Sequence, residues 1–264
     1  MVQVLATAFA DASRARPAAS VRRLPALPGA ATSTAAVRLF CFPYAGSGPS
    51  IFNAWPQGLL RSVEAFGIVY PGHESRLAER PLRDLGAIAA SLVDDVLPLL
   101  DRPYVFFGHS MGAYVAFELA RRLQARGTRP DHVFLSAAGA PHLAPPRVLH
   151  DLPTAGFLRE LIRLDGFPPE ILRSAELVRQ VLPVLRADFT ACETYVVSPI
   201  PVDFPITAFA GRDDARADVA RVEAWDRFAG VSFDREVFDG GHFFLRDHRP
   251  AMVASINRRL AVLA

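Results

Sequence analysis

From Val37 onward, short apolar runs alternate with amphipathic stretches of helical period, and this alternation leaves the chain few ways to fold. VRLFCF (37–42), AFGIVY (65–70), YVFF (104–107), HVFLSAA (132–138), PITAFAG (205–211) and SFDREVF (232–238) read as strands. FNAWPQGLLRS, LGAIAASLVDDVLPLL (85–100), MGAYVAFELARRLQARG, DVARVEAWDRFAG and a last segment from about Pro250 read as helices, the first with a single breaker, Pro56, near its start. Pro71-Gly72 stops the second strand, and Gly127 ends a helix. Strands apolar on both faces and separated by helices predict a mostly parallel sheet with helices on both faces.

Between residues 141 and 200 the alternation lapses. FLRELIRL and PEILRSAELVRQVLPVLRADFTACETYV predict helices parted by the Gly166-Phe167-Pro168-Pro169 turn, and no strand is legible there. A helical insertion late in such a sheet predicts a lid over the strand ends, where ligands of open α/β sheets bind. With 264 residues, 51% apolar and no internal repeat, one core is expected rather than two.

Charge narrows the function classes. All 29 basic residues are arginine, the net charge is +2, and no basic block occurs, so a nucleic-acid surface is not expected. No stretch approaches the roughly 18–20 uncharged apolar residues of a spanning helix, so no membrane partner is expected either. Cys41 and Cys192 have neither metal-ligand spacing nor the numbers of a disulfide framework, and they read as buried thiols in a reducing compartment, the cytoplasm. Residues 1–36 are rich in Ala, Arg and Pro, with Asp11 their only acid. No positive residue precedes MVQVLATAFA, which argues against a signal peptide. A disordered extension over 1–36 is expected, followed by one folded domain over 37–264 with its lid at about 141–200.

The chemistry begins at Gly108-His109-Ser110-Met111-Gly112, between YVFF and a helix. A strand entering a helix through a very tight turn throws the turn side chain above the sheet, and flanking glycines relieve the crowding. Chance gives roughly 0.06 G-x-S-x-G matches in a chain of this composition, so the strand–turn–helix context is what identifies Ser110 as a nucleophile. A serine hydroxyl needs a base, and the base needs an orienting acid. On such a sheet the chain order is Ser, acid, His. His242, in FDGGHFFL after the last strand, fits the base. The acid follows PITAFA in GRDD: Asp214, three residues past Gly211, is preferred, with Asp213 the competitor.

The oxyanion of the tetrahedral intermediate needs N–H donors. Met111, following the nucleophile at a helix N-terminus, supplies one. The loop Pro43-Tyr44-Ala45-Gly46-Ser47-Gly48 supplies the other; proline cannot donate, leaving Tyr44 or Ala45, with Ala45 preferred. AGSGPS is not a phosphate loop, because it lacks the G-x-x-x-x-G-K-[ST] pattern. No metal site is expected.

With these residues in place, the sequence resembles the α/β-hydrolase thioesterases of polyketide and nonribosomal peptide synthesis, the free-standing type II enzymes above all. FCFPYAGSG with the following F-x-x-W, YPGHESR, FGHSMGAYVAFELARRL, LRADFTACETY, PITAFAGRDD and GGHFFL carry the likeness from about Val37 to the end. It implies an α/β-hydrolase fold and an editing enzyme that removes unwanted acyl groups from the phosphopantetheine arm of acyl or peptidyl carrier proteins. Ser110 would be the nucleophile, His242 the base and Asp214 its orienter, with Ala45 and Met111 holding the oxyanion. No cofactor is implied beyond the arm carried by the substrate. Two features depart from the pattern: the long extension, and Tyr44 where relatives often have histidine. A general carboxylesterase or lipase-like hydrolase is the alternative, weakened by the lack of an HGGG-type segment. A ligand receptor on the same fold is a further one. A monomer is expected, since no strongly apolar terminal helix pair offers a dimer interface.

Overall fold

The computed structural model describes residues 19–25, 35–164 and 174–263. Among these residues seven strands form one sheet: β1 (Val21–Arg23), β2 (Val37–Phe42), β3 (Val63–Ile68), β4 (Tyr104–His109), β5 (His132–Ser136), β6 (Ile206–Gly211) and β7 (Phe233–Phe238). Their order is β1-β3-β2-β4-β5-β6-β7. Only β1 runs antiparallel to its neighbour; the other pairings are parallel, as expected for strands joined by helical crossovers. The α-helices among the described residues are α1 (Leu85–Val96), α2 (Met111–Gln124), α3 (Thr154–Arg163), α4 (Ala175–Glu193), α5 (Val219–Glu223) and α6 (Arg249–Leu260).

Successive side chains of a strand point to opposite faces, and the core divides accordingly. Phe40, Phe42, Phe66, Phe106 and Leu135 pack with α1, α2 and a short 3-10 turn that carries Trp225 and Phe228. Leu39, Cys41, Val105, Phe107 and Phe134 face the other way, onto Phe52, Trp55 and α6. Both faces are thus covered, and this burial is why the central strands read as continuous apolar runs.

Two expectations need correction. FNAWPQGLLRS is not a helix but part of two 3-10 turns, Pro49–Phe52 and Trp55–Gln57. Pro56 lacks an N–H, and the buried Phe52 and Trp55 rings meet edge-on at 5.1 Å while both pack on Phe107, so aromatic packing overrides the helical period. The second correction is β1, which lies within the extension expected to be disordered. It pairs with β3 from Val21–Ile68 to Arg23–Phe66, and its arginines find Glu74 and Glu64. Residues 1–18 and 26–34 of that extension lie outside the described residues.

The described part of the insertion contains α3 and α4 and no strand. Leu149, Phe157, Leu161, Leu185 and Phe189 form its own small apolar cluster, separate from the two main ones. The turn expected at Gly166–Pro169 lies outside the described residues.

Candidate active site

Ser110 sits between β4 and α2 with φ +54° and ψ −117°, a region side-chain-bearing residues rarely occupy. The surrounding backbone enforces it. A Cβ on Gly108 would lie 2.1 Å from the Gly112 carbonyl oxygen, and one on Gly112 would lie 2.0 Å from the Phe42 carbonyl oxygen. Both glycines are therefore sterically required for the chain to turn this tightly against β2. The Ser110 N–H donates to the Ser136 carbonyl at 2.7 Å, which ties the turn to β5.

Ser110 Oγ lies 2.8 Å from His242 Nε2, and His242 Nδ1 lies 2.8 Å from Asp214 Oδ2. A carboxylate can only accept, so the Nδ1–H donates to it and Nε2 is free to accept the serine proton. The second carboxylate oxygen of Asp214 accepts from the Arg216 and Ala217 N–H groups at 2.8 and 3.1 Å. Burial disfavours its ionised form, but the His242 ring and these N–H donors outweigh that effect and hold the carboxyl below the usual carboxylate range. Asp213 is exposed, and its backbone N–H donates to the Gly240 carbonyl. The geometry thus brings Asp214, not Asp213, to His242.

His109, the second residue of the Gly108–Gly112 turn, was not foreseen as a contributor. Its Nε2 donates to the His242 carbonyl at 3.0 Å, which leaves Nδ1 to accept from the Ser136 hydroxyl at 2.9 Å. Complete burial, with a smaller repulsion from His242, pushes its pKa down to about 3, so the ring is neutral and fixed in this tautomer. It holds the loop that carries His242.

Ala45 and the Ser110–His242 pair line one cavity, roofed by Leu161 of α3 and Leu185 and Phe189 of α4. Met111 is buried at the first position of α2, directly after the serine. Tyr44 packs edge-on against His109 and Phe243, and Phe243 in turn lies edge-on to the His242 ring. Among the described residues no group of three or more His, Cys, Asp or Glu could hold a metal, and both cysteines are free. Burial pushes the Cys41 thiol pKa up, which makes it unreactive.

Three further polar residues near the site, His73, Asp188 and Glu193, all buried, were given no role by the sequence, His73 because it lies outside the expected order of serine, acid and histidine. Glu193, at the end of α4, pairs with Arg216 at 3.1 Å and accepts from the Leu149 and His150 N–H groups, each at 2.9 Å. On a helix of mixed polarity an acidic residue reads as a solvated face. Only the segments LRADFTACETY and YPGHESR, singled out as whole motifs, carried any signal for them.

Comparison with known proteins agrees with this architecture. The thioesterase-domain family model matches residues 37–260. "Thioesterase PikA5" of Streptomyces venezuelae is 40% identical over 230 residues, 86% of this chain and 82% of the relative. "Linear gramicidin dehydrogenase LgrE" of Brevibacillus parabrevis is 39% identical over 235 residues, 87% and 89% of the two chains. Among solved structures, RedJ, a thioesterase of the prodiginine pathway of Streptomyces coelicolor, superposes with a TM-score of 0.82 at 36% identity, covering 96% of this chain and 98% of its own. A serine turn at the end of a parallel strand, a helical roof and matches of this extent lead to one conclusion: the chain belongs to the thioesterase family and has the α/β-hydrolase fold.

Proposed function

We propose that this protein hydrolyses acyl groups from the phosphopantetheine arm of acyl or peptidyl carrier proteins, as an editing enzyme of a polyketide or nonribosomal peptide synthase. The observation that supports it best is the hydrogen-bonded relay Ser110–His242–Asp214 at the base of a lid-roofed cavity. His242 Nε2 takes the Ser110 proton as Oγ attacks the thioester carbonyl, and Asp214 remains ionised to stabilise the imidazolium. The developing oxyanion is met by the Met111 and Ala45 N–H groups. Collapse expels the pantetheine thiolate, which His242 protonates. Water, deprotonated by the same ring, then attacks the acyl-serine and releases the acid. The acyl chain lies against the apolar roof, and no cofactor enters beyond the arm that the substrate brings. The enzyme acts as a cytoplasmic monomer.

The dehydrogenase in LgrE's name gains no support from this chain. The turn after β2, AGSGPS, lacks the G-x-G-x-x-G spacing of a dinucleotide site. The test offers one short acyl group on a carrier protein, on pantetheine and as an oxygen ester, with Ser110→Ala as control. Preference for the thioesters, lost in the variant, supports the proposal. Faster oxygen-ester cleavage with no response to the carrier would replace it with the general esterase.

A further inference from the structure

The loop proposed to carry the oxyanion donor is fixed by two sets of contacts. The first is internal: the Tyr44 carbonyl accepts from the Ser47 N–H at 3.1 Å and the Ser47 hydroxyl at 2.7 Å. Because a peptide unit is planar and trans, anchoring the Tyr44 carbonyl on one side turns the Ala45 N–H to the other. The second set comes from the lid. Gly46, with φ +73°, donates its N–H to Asp188 Oδ2 at 2.7 Å, so the peptide unit after Ala45 is held by α4. Leu185, one turn earlier on α4, closes on Gly46 so tightly that a Cβ there would meet its Cδ2 at 2.3 Å.

Asp188 is not alone. The same Oδ2 lies 2.9 Å from His73 Nε2, while His73 Nδ1 lies 3.1 Å from the Pro71 carbonyl. A carbonyl and a carboxylate only accept, so with Asp188 ionised both ring nitrogens must carry hydrogen and His73 is an imidazolium. The two side chains are nearly sealed from solvent, His73 4% and Asp188 1% exposed. Burial opposes the charge on His73, but the adjacent Asp188 carboxylate outweighs it and raises the pKa above the ordinary value. A buried pair of this kind is weak as a stability device, since desolvating both charges offsets much of their attraction. Its geometric consequence is specific: it joins three segments, the loop after β2, the loop after β3 and the lid helix.

We propose that Asp188 and His73 are positioning residues through which α4, together with the Ser47 contacts, steadies the Ala45 N–H for the oxyanion. The inference rests on the thioesterase reading and on Ala45 as its second donor. Neither residue touches the reacting atoms; they act through the Ala45–Gly46 peptide.

The test compares Asp188→Ala, Asp188→Asn and His73→Gln with the unaltered enzyme on an acyl-pantetheine. It also measures affinity for an acyl trifluoromethyl ketone, which forms a tetrahedral adduct, and for a thioether lacking the carbonyl. Deleting an oxyanion donor costs about 10²–10³ in kcat, so displacing one in Asp188→Ala is expected to cost about 10–10², with KM within about threefold. Ketone affinity falls by the same factor, while thioether affinity holds. Asp188→Asn recovers part of the loss, because its amide oxygen still accepts from Gly46. A merely structural role would lower the fraction of titratable active enzyme and the melting temperature, leaving the ketone-to-thioether ratio of the remaining sites unchanged, and that result overturns the proposal. Should Asp188→Ala not fold, Asp188→Asn and His73→Gln decide by the same ratio. If the unaltered enzyme does not cleave the thioester in a Ser110-dependent way, the functional reading itself fails, and the positioning proposal fails with it.

Discussion

At Gly108 and Gly112 the chain turns where an added methyl would overlap backbone atoms, whereas the helical insertion meets the rest of the molecule mainly through side chains: Asp188 on the loop after β2, Glu193 on Arg216, Tyr195 on Glu118, and apolar residues that form a cluster around Phe157 and Phe189 and join the main core at Ala191. The serine turn is held by main-chain sterics and by neighbouring strands, and nothing in it can shift without the sheet shifting. The insertion is held by polar side-chain contacts, each removable by one substitution, and by the packing of Ala191, Cys192 and Tyr195 on the main core. The difference separates a part whose backbone has no room to move from a part that single side-chain substitutions can loosen.

The substitution that breaks the serine-turn side of this comparison most severely is Gly112→Ala. The Phe42 carbonyl, 2.0 Å from the new methyl, is backbone and cannot yield. We expect destabilisation of about 3 kcal/mol or more, seen as loss of soluble protein or a fall in melting temperature, with no enzyme titratable by a serine-directed phosphonate. Next comes the acid. Asp214→Asn leaves the geometry but reverses the preferred His242 tautomer, and kcat for thioester hydrolysis should fall by about 10⁴. Asp213→Asn, at an exposed carboxylate, should change it by less than about threefold; the opposite order in steady-state kinetics would move the assignment by one residue.

On the lid side, Glu193→Gln removes the charge that holds Arg216 and the Leu149–His150 backbone. Cleavage within residues 141–200 by limited proteolysis should accelerate about tenfold, while the melting temperature of the core falls by only a few degrees. Equal acceleration across the whole chain would show that the lid does not open separately.

The smallest expected effect lies in the sheet. His132, hydrogen-bonded to Thr207 in the core, has its pKa pushed down to about 4, chiefly by burial. A lowered folded pKa means that the unfolded chain binds the proton first. The stability from the neutral ring is therefore complete above the ordinary histidine pKa near 6.5 and is lost as pH falls from there toward 4. Between pH 6.5 and 5 this amounts to about 2 kcal/mol, so urea midpoints should fall over that window and fall less in His132→Gln. Buried His109, near 3, adds to the same trend in both proteins.

What could be read from the sequence follows the same division. The hydrogen-bonded set Ser110–His242–Asp214 was legible because backbone sterics leave marks: glycines beside Ser110, glycines before His242, and a glycine three residues before Asp214. The sheet was legible for its long buried strands and not for β1, three residues with two arginines whose partners Glu64 and Glu74 lie some forty to fifty positions away. The segment around Phe52 and Trp55 misled because apolar spacing cannot tell a helix from a loop whose aromatics plug the core. His73, Asp188 and Glu193 were hidden because their roles exist only in three dimensions, where a carboxylate on one helix meets an N–H from a distant loop.

The most direct test of the central claim is intact-protein mass spectrometry after rapid mixing with a short acyl group carried on the phosphopantetheine arm of a carrier protein. The account predicts a transient species heavier by one acyl group, mapped to Ser110 after digestion, absent in Ser110→Ala and decaying with release of the free acid. Release of the acid at full rate by Ser110→Ala, or an acyl group mapped to another residue, would contradict it.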